Sequence, residues 1–441
     1  MKFIKLFETH DPDYLDYINS DDVILPNLSY CEDEEKVHLN KIRNDIIIYH
    51  ASSKLTETTS YYGNGFHPDK FNTTVKSHTF ENGKGIIEFD DDVTMIGETA
   101  FYYCSELLDI QLPDSIITID DDAFNKCSKL TNIKIGNNVT SFGQNTFRDC
   151  STVSTIKLPN ELITIGSYCF YKTTSLTNIT LPNKLTTIKN EAFHFSKINS
   201  ITIPESVRTI ESLAFADNLN LSNIIINNGV TSISTNAFSR TNITSLFIPS
   251  SVTSLYGNIA TECSNLTTIS VDENNTKYDS RDNCNAIIET STNKLICGCK
   301  TTIIPNTVTT LGTGAFASCK ELTSITIPNG VTSIGESSFA SCSNLANITI
   351  SNSVTSIGLY AFYNTAITSI IIPSNITNIS NYAFSECRNL TVTVQAITPP
   401  TIKSSTFENS IIKIYVPAES VDTYKAATNW SNYASKIEAI S

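Results

Sequence analysis

Residues Leu322–Phe339 read LTSITIPNGVTSIGESSF, and this stretch decides the fold. Leu322, Ile325 and Ile327 alternate with small polar residues, the pattern of a short strand with one buried face. Pro328 has no N–H to donate and stops the pairing. Asn329-Gly330 is turn chemistry, because both residues tolerate positive φ. Val331 and Ile334 point back inward from a second extended segment. Gly335 turns the chain again, and Phe339 fills the wide part of the loop.

The unit recurs. Its phenylalanine returns as Phe101, Phe124, Phe147, Phe170, Phe193, Phe215, Phe238, Phe316, Phe339, Phe362, Phe384 and Phe407. The spacing is 22 or 23 residues except across one gap, inside which Ala260 holds the register. A fixed period of this length marks a solenoid: one coil cannot bury its apolar side alone, and stacked coils bury one another. The pattern L-x-x-I-x-I-P-x-x-V-x-x-I-G-x-x-A-F-x-x-C resembles the BspA-type, or Treponema pallidum-type, leucine-rich repeat over about residues 86–440. The resemblance implies a mainly β, curved, right-handed solenoid that binds and adheres rather than catalyses.

Six segments are expected: an N-terminal attachment module over 1–45, a β-rich cap over 46–85, repeats over 86–270, a hairpin insertion over 271–300, repeats over 301–410 and a C-terminal cap over 411–441. The insertion, with NAIIET and KLICGC flanking STNK, is read as replacing one coil and leaving the stacking intact. Over the final cap, Val421, Tyr424, Trp430, Tyr433 and Ile437 recur near helical spacing, with Ser420 as the expected N-cap and Trp430 packed over the last coil. Near the N-terminus, ILPNLSYCEDEEKVHLN (24–40) resembles leader segments on proteins of gut Bacteroides and their crAss-like phages.

A formal charge of −14 argues against a broad basic face for nucleic acid. No apolar run is long enough for a membrane helix, and MKFIKLFETHDPDY lacks the apolar core of a secretion signal. Of twelve cysteines, Cys104, Cys127, Cys150, Cys263, Cys319, Cys342 and Cys387 sit three residues after the repeat Phe or Ala. Thr173, Asn218, Thr241 and Thr365 share that slot elsewhere, so it is read as a small buried rung holding free thiols.

No catalytic constellation is visible. His194 is the only histidine of the repeats and is read as a turn residue. Asp90–Asp92 and Asp120–Asp122 could ligate calcium but read better as solvated turns. Cys284, Cys297 and Cys299 lack zinc spacing, and no cofactor or metal is expected. Binding is sought instead on the outward strand position, which reads Gln111, Lys134, Lys157, Thr180, Thr202, Ile225, Phe247, Ser270, Thr326, Thr349 and Ile371. Ile225 and Phe247 are adjacent and apolar where water favours Thr. They are the leading candidates, with Tyr256, Lys134 and Lys157 beside them.

The expected function is recognition or adhesion toward a protein or glycan on a host or mucosal surface. The favoured setting is a phage virion fibre or decoration, joined to other virion proteins through the N-terminal module. The alternatives are a bacterial or protist cell-surface adhesin and, last, an enzyme on a solenoid scaffold.

Overall fold

The computed structural model describes residues 43–59 and 65–440. The leader and almost all of the module expected over 1–45 fall outside these residues.

The repeats stack as a mainly β solenoid with three parallel tracks. The first carries the longer strands. In Ser324–Ile327, Ser324 and Thr326 face water while Ile325 and Ile327 are buried, because side chains alternate across a strand. The second track stacks two-residue segments in parallel, from Met95–Ile96 to Ser254–Leu255 and, after the insertion, from Thr310–Leu311 to Asn378–Ile379. Gly330 does not use positive φ, contrary to expectation. A Cβ there would lie 1.9 Å from the Asn306 carbonyl oxygen, so close approach of the preceding coil demands glycine.

The third track is the phenylalanine turn. Each ring lies over the next, with centroids 5.1–6.0 Å apart from Phe101 to Phe238 and 5.0–5.5 Å from Phe316 to Phe407. Burying each ring contributes about 1.5–3 kcal/mol. The flanking residues occupy the left-handed region without being glycine, as at Ser337 (φ 53°) and Ser341 (φ 60°). That conformation turns their N–H groups along the solenoid, Ser337 to Leu359 O at 2.8 Å and Ser341 to Tyr363 O at 2.7 Å. Each coil's carbonyls therefore hold the strained turn of its neighbour.

The cysteine slot has a more specific job than filling space. Cys127 donates to Phe101 O, Cys150 to Phe124 O, Cys342 to Phe316 O and Cys387 to Phe362 O, all at 3.0–3.1 Å. Ser196 and Asn218 make the same bond to Phe170 O and Phe193 O. Thr173, Thr241 and Thr365 in this slot donate instead to Phe170 O, Phe238 O and Phe362 O of their own coil, so the slot selects a small donor for the carbonyls of the phenylalanine turns.

At the N-terminal end, Val75–Glu81 and Lys84–Phe89 form an antiparallel hairpin. Ile46–Ala51 inserts between Lys84–Phe89 and the first coil strand, Leu107–Gln111, antiparallel to both. GIIEF (85–89), where the repeats are expected to begin, is thus separated from the next coil strand by Ile46–Ala51. Phe66 and Phe71 close the ring stack, 6.3 and 5.9 Å from Phe101.

The C-terminal cap is broken rather than one helix. Val421–Ala426 is helical, Trp430–Lys436 is a 3-10 turn, and Ile437–Ala439 pairs in parallel with Ile411–Val416. The extended backbone of Ala427 ends the helix, and Asn429, with a left-handed φ of 66°, leads into the 3-10 turn. Ser420 precedes the helix, but its side chain makes no capping bond. Trp430 does cover the last coil, 5.9 Å from Phe407, with its indole N–H on Pro400 O at 2.8 Å.

The insertion carries the backbone through but interrupts the rings. Lys294–Gly298 pairs antiparallel with Ala286–Glu289 and parallel with Thr310–Leu311. Gly298 N–H donates to Ala315 O, as Phe316 N–H donates to Ser338 O one coil on, so Gly298 stands at the phenylalanine's station. The apolar core divides here into two clusters. Asn258 spans the division, its amide donating to Gly314 O and Ala315 O at 3.1 and 3.2 Å.

Candidate functional site

The outward row is a consequence of strand alternation. Thr202, Ile225, Phe247 and Thr326 are exposed, each between buried aliphatic neighbours. Ile225 is 47 % exposed and Phe247 46 %. Thr202 lies directly opposite Ile225 in a parallel pair, and Phe247 opposite Ser270 in the next pair. The two apolar side chains therefore sit on neighbouring coils that belong to separate two-stranded ladders. Lys134 and Lys157 are exposed in the same row, several coils earlier. Tyr256 is 61 % exposed but follows Ser254–Leu255 in the second track, so the fold does not bring it onto the row.

Three of the breaks between ladders have a sequence correlate, whereas the break between Asn132–Lys134 and residues 155–158 follows a coil of full length. Phe193–Phe215, Phe238–Ala260 and Phe362–Phe384 are 22 residues apart, and the missing residue lies between the ring and the next aliphatic. Phe193 to Ile198, Phe238 to Ile243 and Phe362 to Ile367 are five residues, where Phe170 to Leu176 is six. These coils carry Ser196, Thr241 and Thr365 in the cysteine slot. The following strands are Ser200–Ile203, Ser245–Ile248 and Ser369–Ile372. Among the described residues, none of them is laddered to the strand before it.

The first of these breaks opens a groove of about 790 Å³ between the 178–181 and 200–203 segments. Ile179, Leu181 and Ile201 form its buried floor. Asn178, Asn183, Asn227, Thr180, Thr202 and Glu205 supply its polar edge. Thr202 joins this groove to Ile225, and through it to Phe247. Sequence reasoning identified the two apolar side chains but not the groove; the shortened coil before Ser200 was its signal.

His194 sits away from the row, buried in the phenylalanine turns. Its Nδ1 is 2.8 Å from Glu191 and its Nε2 is 2.7 Å from Asp217. Asp217 also meets Arg240, which meets Glu262, which meets Lys320. Both ring nitrogens are engaged, which makes a structural cross-tie between coils rather than a base facing substrate. Burial pushes the Cys104, Cys169, Cys297 and Cys342 thiols well up, so these are poor nucleophiles and poor ligands. The Asp clusters serve turns: Asp121 accepts Gln144 N–H at 2.6 Å and Asp122 accepts from Asn125 at 2.5 Å. Among the described residues no group of three His, Cys, Asp or Glu side chains is set to hold a metal. No helix there is long and apolar enough to cross a membrane.

Comparison with known proteins agrees with this architecture. The model of the BspA type leucine-rich repeat region matches residues 73–198, 186–294 and 286–414. A leucine-rich cell surface protein of Faecalibacterium prausnitzii A2-165 is 28 % identical, with a TM-score of 0.61 over 75 % of this chain and 88 % of that one. A leucine-rich repeat protein of Bacteroides ovatus, 23 % identical over 82 % of this chain and 90 % of its own, shares the fold with a TM-score of 0.53. The pneumococcal vaccine antigen PcpA shares it at 20 % identity and a TM-score of 0.50, over 83 % and 86 % of the two chains. No curated protein matches significantly. Repeat solenoids of this kind present extended surfaces for binding. With the family pattern spanning most of the molecule, the chain belongs to the BspA-type leucine-rich-repeat family.

Proposed function

We propose that this chain is a non-catalytic recognition protein of a bacterial cell surface, contacting a protein or glycan of a host or mucosal surface through its outward strand row. The observation that carries the reading is the row itself. Its neighbours are mostly polar, yet Ile225 and Phe247 stand together about half exposed, and an exposed apolar pair on a polar face favours a partner over water. The similarity to the Faecalibacterium cell surface protein supports the setting. The virion setting favoured from the sequence rests on the leader at 24–40, outside the described residues, and the Faecalibacterium relative supports the cell surface instead. An enzymatic role has the least support, since His194 is spent on structural pairs.

The test is adhesion of the purified chain to mucin-coated and epithelial-cell surfaces. Phe247→Asp should abolish retention with the melting temperature nearly unchanged, because the side chain stands on the outward face, about half exposed, and not in the core. Undiminished retention by a folded variant would remove the row from the reading.

A further inference from the structure

Building on the recognition role just proposed, we infer that the groove between residues 178–181 and 200–203 is a binding subsite for a neutral oligosaccharide, continued along the row toward Phe247. Three observations converge. First, the lining has hydrogen-bonding groups with no protein partner for their ligand-facing atoms. Among the described residues, Asn183, Asn227, Thr180, Thr202 and Glu205 have no side-chain hydrogen bond, and the Asn178 amide makes one only to Thr177. Side-chain amides offer a donor and an acceptor together, which matches the paired hydroxyls of a sugar ring.

Second, the groove contains no lysine or arginine and has one carboxylate, Glu205. An anionic sugar would enter without a counter-charge and beside a like charge, so the site selects neutral rings. Third, the floor is shallow. Ile179, Leu181 and Ile201 turn their side chains into the core, leaving no pockets for the alternate side chains by which extended peptides are anchored. A sugar ring held by its hydroxyls along the polar edge needs no such pockets. Beyond Thr202, Ile225 follows about 4.8 Å on in the same ladder. Phe247 comes on the next coil, across a ladder break, with its half-exposed ring free to stack on the far sugar unit.

The experiment is calorimetric titration of the full chain with short neutral oligosaccharides of glucose, galactose and mannose, and with their uronic-acid and sialylated counterparts. The neutral series should bind. Asn183→Ala and Asn227→Ala should each weaken it about tenfold with unchanged melting temperature, the loss of one ligand hydrogen bond. Glu205→Gln should retain neutral binding and admit acidic sugars. Binding confined to acidic sugars, or no binding of any sugar, would overturn the inference. So would sugar binding that both alanine variants leave untouched. Failure here is distinguishable from failure of the recognition role: loss of adhesion in Phe247→Asp without any sugar binding would leave that role standing with a protein partner.

Discussion

Asn258→Ala probes the joint between the two halves of the solenoid. The amide of Asn258 donates to Gly314 O and Ala315 O, and its oxygen accepts from Ala260 N–H at 2.9 Å and from the Cys297 thiol at 3.1 Å. The two carbonyls keep other partners, Ala317 N–H and Gly298 N–H, so each lost bond costs only about 0.5–1.5 kcal/mol. Ala260 N–H is left unpaired in a buried site, at about 1–3 kcal/mol. The total is roughly 2–6 kcal/mol, lodged where no aromatic ring bridges Phe238 and Phe316. Coupling between neighbouring units is what makes a repeat array unfold as one. Weakening it should therefore split the transition as well as lower it. Trp430, the sole tryptophan, reports the C-terminal half by fluorescence, while circular dichroism reports both. The two midpoints in urea should coincide in the parent protein and separate in Asn258→Ala. Coincident, unshifted midpoints in the variant would refute the bridging role.

Three further outcomes follow from the same structure. Phe339→Ala removes a fully buried ring stacked 5.0 and 5.3 Å from its neighbours and should cost about 3–5 kcal/mol, whereas Thr326→Ala on the same coil should stay within about 0.5. Cys127→Ser keeps a donor to Phe101 O and should be tolerated better than Cys127→Val, read as the difference in urea midpoint. His67 and His78 in the N-terminal cap are held below their ordinary value of 6.5 mainly by burial. The folded cap resists the protons that the unfolded chain accepts. The stability they contribute is present above about pH 6.5 and is lost as pH falls below it. Amide exchange in Ile46–Ala51, corrected for intrinsic rate, should quicken at about pH 5 while Trp430 fluorescence stays native.

Much of this was legible from periodicity. One phenylalanine per coil announced the ring stack, and the alternation in SITI announced which side faces water. Trp430 over the last coil followed from its place after the final repeat. What escaped lies between coils rather than within them. GIIEF has the composition of a coil strand, and only the fold shows Ile46–Ala51 inserted between it and Leu107–Gln111. The cysteine slot looked like packing because a thiol is nearly apolar; its acceptor is a backbone carbonyl 26 residues away at Cys127. The groove was invisible because a one-residue deletion alters no residue type, only the lateral fit of two strands. The aliphatic-to-ring count, five instead of six, was the available clue.

The central claim is that recognition resides where the outward row departs from its polar pattern. The most direct measurement is equilibrium retention on mucin-coated and epithelial surfaces of the double variant Ile225→Thr/Phe247→Thr, which restores the regular repeat at both positions. The melting temperature should stay within error of the parent and retention should fall at least about tenfold. Full retention by the folded double variant would contradict it.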